Sequence, residues 1–330
     1  MMTRILLSFN PAARALYYSD QALAGLRALG QVRLHTQDQM LAGEALLAAA
    51  EGCEVIVSDR QTAADAALFT ASPRLVVFMR CAMDIRNIDL AAASAAGVLV
   101  TQASAGFGTS VAEWVLGVMI DLSRDISRSV LAYHQGLQPP VRMGCELRGS
   151  RLGIIGFGHI GRHVGALALA LGMRVSFCDP QAHSDNPALQ HLPLEALLGE
   201  SDFVLCLAPA TAATENLMDA RRFAGMRPGA FFINASRGNL VDEAALLRAL
   251  DSGQLGGCAL DVGRAADQMP TPALARHPRV IATPHIGGLT PAAAEHQALE
   301  TVAQLTQLLQ GGMPVGAVNA AQASRLAAWR

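Results

Sequence analysis

Residues 152–161 read LGIIGFGHIG, an apolar stretch of helical length follows, and residues 174–178 then lead into Asp179. A short apolar strand here meets a run of glycines that opens a helix. Gly156 permits a tight turn off the strand, Gly158 lets the backbone approach a pyrophosphate, and Gly161 lets the helix pack closely on the strand. The helix N-terminus turns partial positive charge toward the phosphates. Asp179 falls about twenty residues past the loop, where a carboxylate accepts hydrogen bonds from an adenosine ribose. Glycine turns alone are common; the strand before, the helix after and the acid beyond make this one a dinucleotide site. Asp179 repels a 2′-phosphate, and Pro180, Gln181 and Ala182 supply no cation in its place, so NAD is expected over NADP. His183 is the one nearby group that weakens that preference.

Outward from this loop the chain alternates strand and helix. Strands are expected at 151–155, 174–178, 203–207, 230–234, 257–261 and 280–283, each a short apolar run bounded by Gly, Pro or polar residues. Helical segments lie between them, including 160–171, 194–198 and 243–252. Such alternation argues for a doubly wound parallel sheet. Looser versions of the pattern, at 5–8, 32–35, 55–58, 75–79 and 98–101, indicate a second, smaller α/β domain. Residues 110–131 read as one long helix without an internal break, a bridge between domains. The helix expected over 291–310 should cross back to the first domain and make it discontinuous.

The 330 residues suit two domains, and a composition 52% hydrophobic and 16% charged excludes a disordered chain. A formal net charge of -2 without Lys or Arg runs gives no footprint for nucleic acid. The N-terminus lacks the apolar stretch and small-residue cleavage site of a secretory signal, and no apolar run is of membrane-spanning length. The 6 cysteines are scattered without close pairs, so free thiols in the cytoplasm are expected, with neither disulfides nor a metal.

Three more segments fall at ends of expected strands, where open α/β sheets gather ligands. They are Asn234-Ala235-Ser236-Arg237-Gly238, Ala259-Leu260-Asp261-Val262 and Thr283-Pro284-His285-Ile286-Gly287-Gly288. With the glycine loop, the runs NASRGNLVDEAALLRAL, GGCALDV and TPHIGG occur in an order and spacing that resemble the D-isomer-specific 2-hydroxyacid dehydrogenase family over nearly the whole length. The resemblance implies α/β architecture with two doubly wound domains. The larger would be a Rossmann-type NAD-binding domain at 104–289, the smaller a discontinuous flavodoxin-like substrate domain at 1–103 and 290–330, with a crevice between them. It implies NAD-dependent hydride exchange at the alpha carbon of a small 2-oxo or D-2-hydroxy acid. Arg237 would bind the substrate carboxylate and polarise its carbonyl, a task suited to a fixed, always-charged fork. His285 would pass the proton, because imidazole titrates near working pH. Ser110, His159, Ile160, Pro209, Ala235 and Asp261 would join Gly156, Gly158, Gly161 and Asp179 along the cofactor, with Asp261 on the nicotinamide carboxamide. His163, His191 and His296, on helical or loop stretches, need no role beyond solvation.

Two departures stand out. The family places a Glu five residues after the aspartate of its LDV motif to pair with the catalytic His, and Ala266 occupies that position. Asp267 could do the work with the loop shifted by one, or Gln268 could orient the ring as a neutral amide. The substrate loop usually carries a Gly-x-Gly turn whose backbone N–H groups hold a carboxylate. Here it reads Arg80-Cys81-Ala82-Met83-Asp84-Ile85-Arg86-Asn87, with Ala82 and Asp84 in place of the glycines. Arg60, Arg80, Cys81, Ala82 and Met83 are the expected substrate contacts, with Asp84 offset by Arg80 or Arg86; solvated loop charges are the competing reading for the arginines. A nucleotide-sensing binding protein of the same fold is the rival function, and an unrelated NAD enzyme such as an alanine dehydrogenase lacks the Arg237 and His285 segments. Family members are commonly homodimers. The segment 110–149 fits that interface, with an apolar face around Trp114, Leu116 and Met119.

Overall fold

In the computed structural model, which describes residues 2–329 apart from the side chain of Asp267, two parallel sheets account for the apolar runs. The first contains β1 (Thr3–Leu7), β2 (Gly30–Leu34), β3 (Val55–Ser58), β4 (Val77–Arg80) and β5 (Leu99–Gln102). The second contains β6 (Arg151–Ile155), β7 (Arg174–Cys178), β8 (Leu189–His191), β9 (Phe203–Cys206), β10 (Ala230–Asn234), β11 (Leu255–Leu260) and β12 (Val280–Ala282). Flanking helices include α1 (Asp20–Leu29), α2 (Gly108–Arg124), α3 (Ile126–His134), α4 (His159–Ala170) and α5 (Pro291–Leu309).

Every residue of β3, β4 and β9 is buried, as expected of strands covered on both faces by helices. Phe203, Val204 and Leu205 are wholly inaccessible, and each such side chain contributes about 1.5–3 kcal/mol relative to exposure. The larger sheet runs β12-β11-β10-β9-β6-β7-β8, so the order reverses between β6 and β9. Ligands of open sheets collect beyond the carboxyl ends of strands at such a reversal. The smaller sheet runs β2-β1-β3-β4-β5, the flavodoxin order. The short strand β8, only three residues long, lies in a stretch without an apolar run and escaped the sequence reading.

The chain divides into two units, Met1–Phe107 with Thr290–Arg330, and Gly108–Leu289. In the first, α5 lies on α1, where Val302 touches Gly25, and on the turn before α1, where the Thr301 and Tyr18 hydroxyls meet at 2.9 Å. In the second, the single long helix expected over 110–131 is a correction. α2 ends at Arg124, Asp125 turns left-handed at φ 56, and α3 begins at Ile126. The Ser123 hydroxyl donates to the Met119 carbonyl at 2.6 Å, and Asp121 receives the Ser127 backbone N–H at 2.8 Å. Polar side chains thus compete for the last helical carbonyls and recap the chain in a new direction. No helix among the described residues is long and apolar enough to cross a membrane.

Candidate active site

The loop after β6 is shaped for a dinucleotide. Gly156 stands at φ 92, and a Cβ there would lie 2.6 Å from the Ala208 nitrogen, so both the turn and the approach of the β9 loop demand glycine. At Gly158 a Cβ would meet nothing within 4 Å, which leaves open space above the N-terminus of α4; at Gly161 it would lie 2.7 Å from the Gly156 carbonyl. His159 and Ile160 form the first turn of α4, with the His159 ring against Gly108. Asp179 caps the loop from the end of β7, accepting from Phe157 N at 2.8 Å, Gln181 N at 2.8 Å and Ala182 N at 2.9 Å. Burial pushes its carboxyl up, but those donors and nearby His191 outweigh that and hold it below the usual carboxylate range. A turn only glycine allows, an open helix N-terminus and a fixed carboxylate fit the pyrophosphate and ribose of NAD. Ser110 is buried in the first turn of α2, Ala235 is half-buried, and exposed Pro209 receives the Thr214 hydroxyl at 2.7 Å on its carbonyl.

Arg237 and His285 follow the carboxyl ends of β10 and β12, which flank β11 in the same sheet. Asn234, 1% exposed, clasps the turn bearing Arg237: its Nδ2 donates to the Arg237 carbonyl at 2.9 Å and its Oδ1 accepts Ser236 N–H at 3.1 Å. The sequence reading gave Asn234 no role. An Asn closing a strand before small residues is an Asx-turn signal that could have found it. Arg237, half-buried, sends Nη1 to the Ser236 carbonyl at 2.8 Å.

His285 is half-buried and left-handed, at φ 56. A side chain in that region costs about 1–3 kcal/mol and persists only where its surroundings hold it; such strain clusters at functional sites. Its N–H donates to the Thr283 carbonyl at 2.9 Å, and the flanking Thr283, Ile286 and Gly287 donate to Asp261.

The loop with the altered acid position is a short turn, Ala266–Gln268. Asp267 falls in this turn, and its side chain lies outside the described residues. Gln268 is left-handed at φ 59, and its side-chain Oε1 is buried without a hydrogen-bond partner. Arg264 pins the loop by reaching Glu215 at 2.8 Å, Asn216 at 2.6 Å and the Val241 carbonyl at 3.2 Å.

The other unit holds the second loop. Arg80 is 0% exposed, so the solvated-charge reading fails for it. Its Nη2 reaches the Thr62 carbonyl and Asn87 Oδ1, each at 2.8 Å, while Nε and Nη1 are buried without partners. Burial pulls this guanidinium down to about 10, against Asp59 and Asp84. Asn87 in turn donates to the carbonyls of Arg60 at 3.1 Å and Gln61 at 3.2 Å. Arg86 grips Asp84 through Nε at 2.9 Å and Nη2 at 2.6 Å, which offsets the carboxylate that replaces a glycine. Cys81 and Ala82 are buried, Met83 is exposed and Arg60 half-buried. Burial drives the Cys81 thiol well above its ordinary range, which leaves it a packing group.

Of the three histidines given no role, His191 and His296 are exposed and His163 is half-buried, each with only local contacts. His296 meets the Ser104 hydroxyl at 3.0 Å, His191 stacks on Phe177 at 4.8 Å and reaches the Asp179 carbonyl at 3.1 Å, and His163 packs edge-on against His159 at 4.7 Å. Met119, expected on an apolar outer face, is wholly buried. Among the described residues no group of three His, Cys, Asp or Glu could hold a metal ion.

A family model described as "D-isomer specific 2-hydroxyacid dehydrogenase, NAD binding domain" matches residues 116–287. The chain is 36% identical to rat (Rattus norvegicus) D-3-phosphoglycerate dehydrogenase over 86% of its own length and 54% of that protein. It is 34% identical to D-3-phosphoglycerate dehydrogenase of Haemophilus influenzae, covering 91% and 75%. It thus spans about half the length of most of the curated relatives it matches, the Haemophilus protein being a fuller match. The solved TT0316 protein from Thermus thermophilus superposes with a TM-score of 0.85 at 30% identity, over 96% of this chain and 100% of that one.

Proposed function

The chain belongs to the D-isomer specific 2-hydroxyacid dehydrogenase family, and from that premise we propose that it interconverts a small 2-oxo acid and its D-2-hydroxy acid with NAD(H). The observation that carries the reading is the placement of Arg237 and His285 past the ends of β10 and β12, the strands either side of β11 in the sheet that also bears the dinucleotide loop. When bound, NAD(H) would supply or accept the hydride. Arg237, its turn clasped by Asn234, binds the substrate carboxylate and draws charge from the carbonyl. His285 hands a proton to the forming alkoxide in reduction and removes it in oxidation. Asp267 takes the place of the family Glu at Ala266 in this reading, with Gln268 as the neutral substitute. Ser110, His159, Ile160, Pro209, Ala235 and Asp261 line the cofactor beside the glycine loop.

Residues 1–103 and 290–330 are assigned substrate recognition, and 104–289 the cofactor. Cys81 N–H is committed to the Ser58 carbonyl at 2.9 Å, so the N–H groups of Ala82 and Met83 are the candidates for holding a carboxylate. Arg60 supplies a cation, and Arg80 acts by bracing the loop. A homodimer accounts for the apolar residues left exposed on α3 and the arm beyond it: Ile126, Val130, Leu131, Tyr133, Val141 and Met143. Six free thiols fit a reducing compartment, the cytoplasm.

The test is direct. Purified protein is mixed with NADH and a panel of 2-oxo acids, and loss of NADH absorbance is followed. Turnover of at least one acid is expected. Tight NADH binding without turnover of any would replace the enzyme with a nucleotide-sensing binding protein. Light scattering should give a dimer mass; a monomer would remove the interface from this reading.

A further inference from the structure

Asp261 follows β11 and is 4% exposed. Its carboxylate is engaged by the loop beyond β12: Oδ1 accepts the Thr283 hydroxyl at 2.6 Å and Ile286 N–H at 2.8 Å, and Oδ2 accepts Gly287 N–H at 2.7 Å. An ionised carboxylate offers about four acceptor positions. A group placed only to meet the cofactor's carboxamide would keep them for that partner. Here most are given to three residues that bracket His285, whose backbone stands at φ 56. A β-carbon disfavours that conformation, and a free loop would leave it. Gly287 belongs to the same fit, since a Cβ there would lie 2.8 Å from Oδ2.

We propose that Asp261 is a positioning residue that fixes the backbone of the His285 loop, and with it the direction of the imidazole. Any contact with cofactor uses its remaining acceptor position. The inference rests on the reading of His285 as proton donor. Residue chemistry supports it: Asn has a single acceptor oxygen and would turn an N–H₂ toward at least one of the loop's donors, so an amide cannot satisfy all of them. Among those donors the Thr283 hydroxyl can be removed without altering charge or backbone.

Thr283→Val, Thr283→Ser and Asp261→Asn, each in the full chain, decide the matter. Steady-state kinetics with an acid the wild type reduces, NADH affinity by fluorescence, and the His285 ring signal by NMR are read together, with His285→Gln giving the assignment. Thr283→Val should lower kcat about tenfold and Asp261→Asn about a hundredfold, the scale of a small misplacement of a reacting group. Thr283→Ser should restore kcat to within about twofold of wild type, with NADH affinity unchanged in both Thr variants. The ring signal should be sharp in wild type and Thr283→Ser, and broadened or split in Thr283→Val and Asp261→Asn. Wild-type kcat and a sharp ring signal in Thr283→Val would overturn the proposal, and Asp261→Asn weakening only NADH binding would mark a plain cofactor contact. If the wild type reduces none of the acids, the proton-donor reading fails, while the NMR series still decides whether the clamp exists. Should Asp261→Asn not fold, the two Thr283 variants decide alone.

Discussion

The loops after β6 and β4 both leave the carboxyl end of a parallel strand, and they are built in opposite ways. After β6 the chain turns at φ 92 on Gly156, and Gly158 has nothing within 4 Å of where a Cβ would be. After β4 the space is filled: Arg80 is wholly buried and braces Thr62 and Asn87, and Arg86 neutralises Asp84. A loop that grips its ligand with backbone must keep side chains away. A loop that holds its own shape with side chains needs their partners in place first. The division of labour follows: changes in the loop after β6 should strike the cofactor, changes at Arg237 and His285 the chemistry, and changes after β4 substrate affinity alone.

The largest effect should come from His285→Ala, which removes the proposed proton carrier and should lower kcat about 1,000-fold with NADH affinity within about twofold of wild type. Stopped-flow reduction under saturating NADH measures it. A drop confined to NADH binding would move His285 from chemistry to cofactor and erase the contrast between the loops. Arg237→Lys keeps the charge and loses the fork, so it should raise substrate KM and lower kcat together.

Next is Gly156→Ala. Left-handed φ and a Cβ 2.6 Å from backbone leave no soft side chain to give way. The change should cost about 2–3 kcal/mol of stability and abolish NADH fluorescence enhancement. A urea midpoint equal to wild type would show that the turn tolerates side chains, against the backbone-grip account.

Arg80→Met sharpens the other half. It removes a buried charge with two unpartnered nitrogens, a gain, and strands the Thr62 carbonyl and Asn87 amide, a loss. The net should be a modest destabilisation of about 1–2 kcal/mol. Substrate KM should rise about tenfold while kcat holds, because misplaced loop backbone weakens binding common to ground and transition states. A kcat effect as large as that of His285→Ala would mean that the two loops do not divide the work.

The same contrast explains what could be read from residues alone. The loop after β6 was legible because its requirement, no side chain, is written as glycine in a strand-to-helix frame. Arg237 and His285 were visible as polar residues at strand ends in a family-like order. Asn234 was not singled out, because its work is a hydrogen bond to its own turn. The brace of Arg80 was hidden for a stronger reason: its partners lie at Thr62 and Asn87, and only the pairing of β3 with β4 brings Thr62 close. The break at Asp125 was missed because local capping by Asp121 overrode a continuous apolar pattern. β8 was missed because three half-polar residues at a sheet edge show no period.

The smallest effect concerns how carboxylates are held in the two units. Asp84 is tied by a partner side chain, Asp179 by the backbone N–H groups of Phe157, Gln181 and Ala182. Those bonds hold Asp179 below the usual carboxylate range despite the opposing push of burial. A depressed acid contributes stability that is full above its unfolded pKa and is lost as pH falls through the lower folded value. The urea-midpoint difference between wild type and Asp179→Asn should therefore be flat from about pH 8 to about pH 5, and shrink only below about pH 4. Asn would accept two of the N–H groups and turn its own toward Phe157, so the difference should be small but measurable. A difference that closes between pH 7 and pH 6 would place histidine titration, not this carboxylate, behind the grip on the adenosine end.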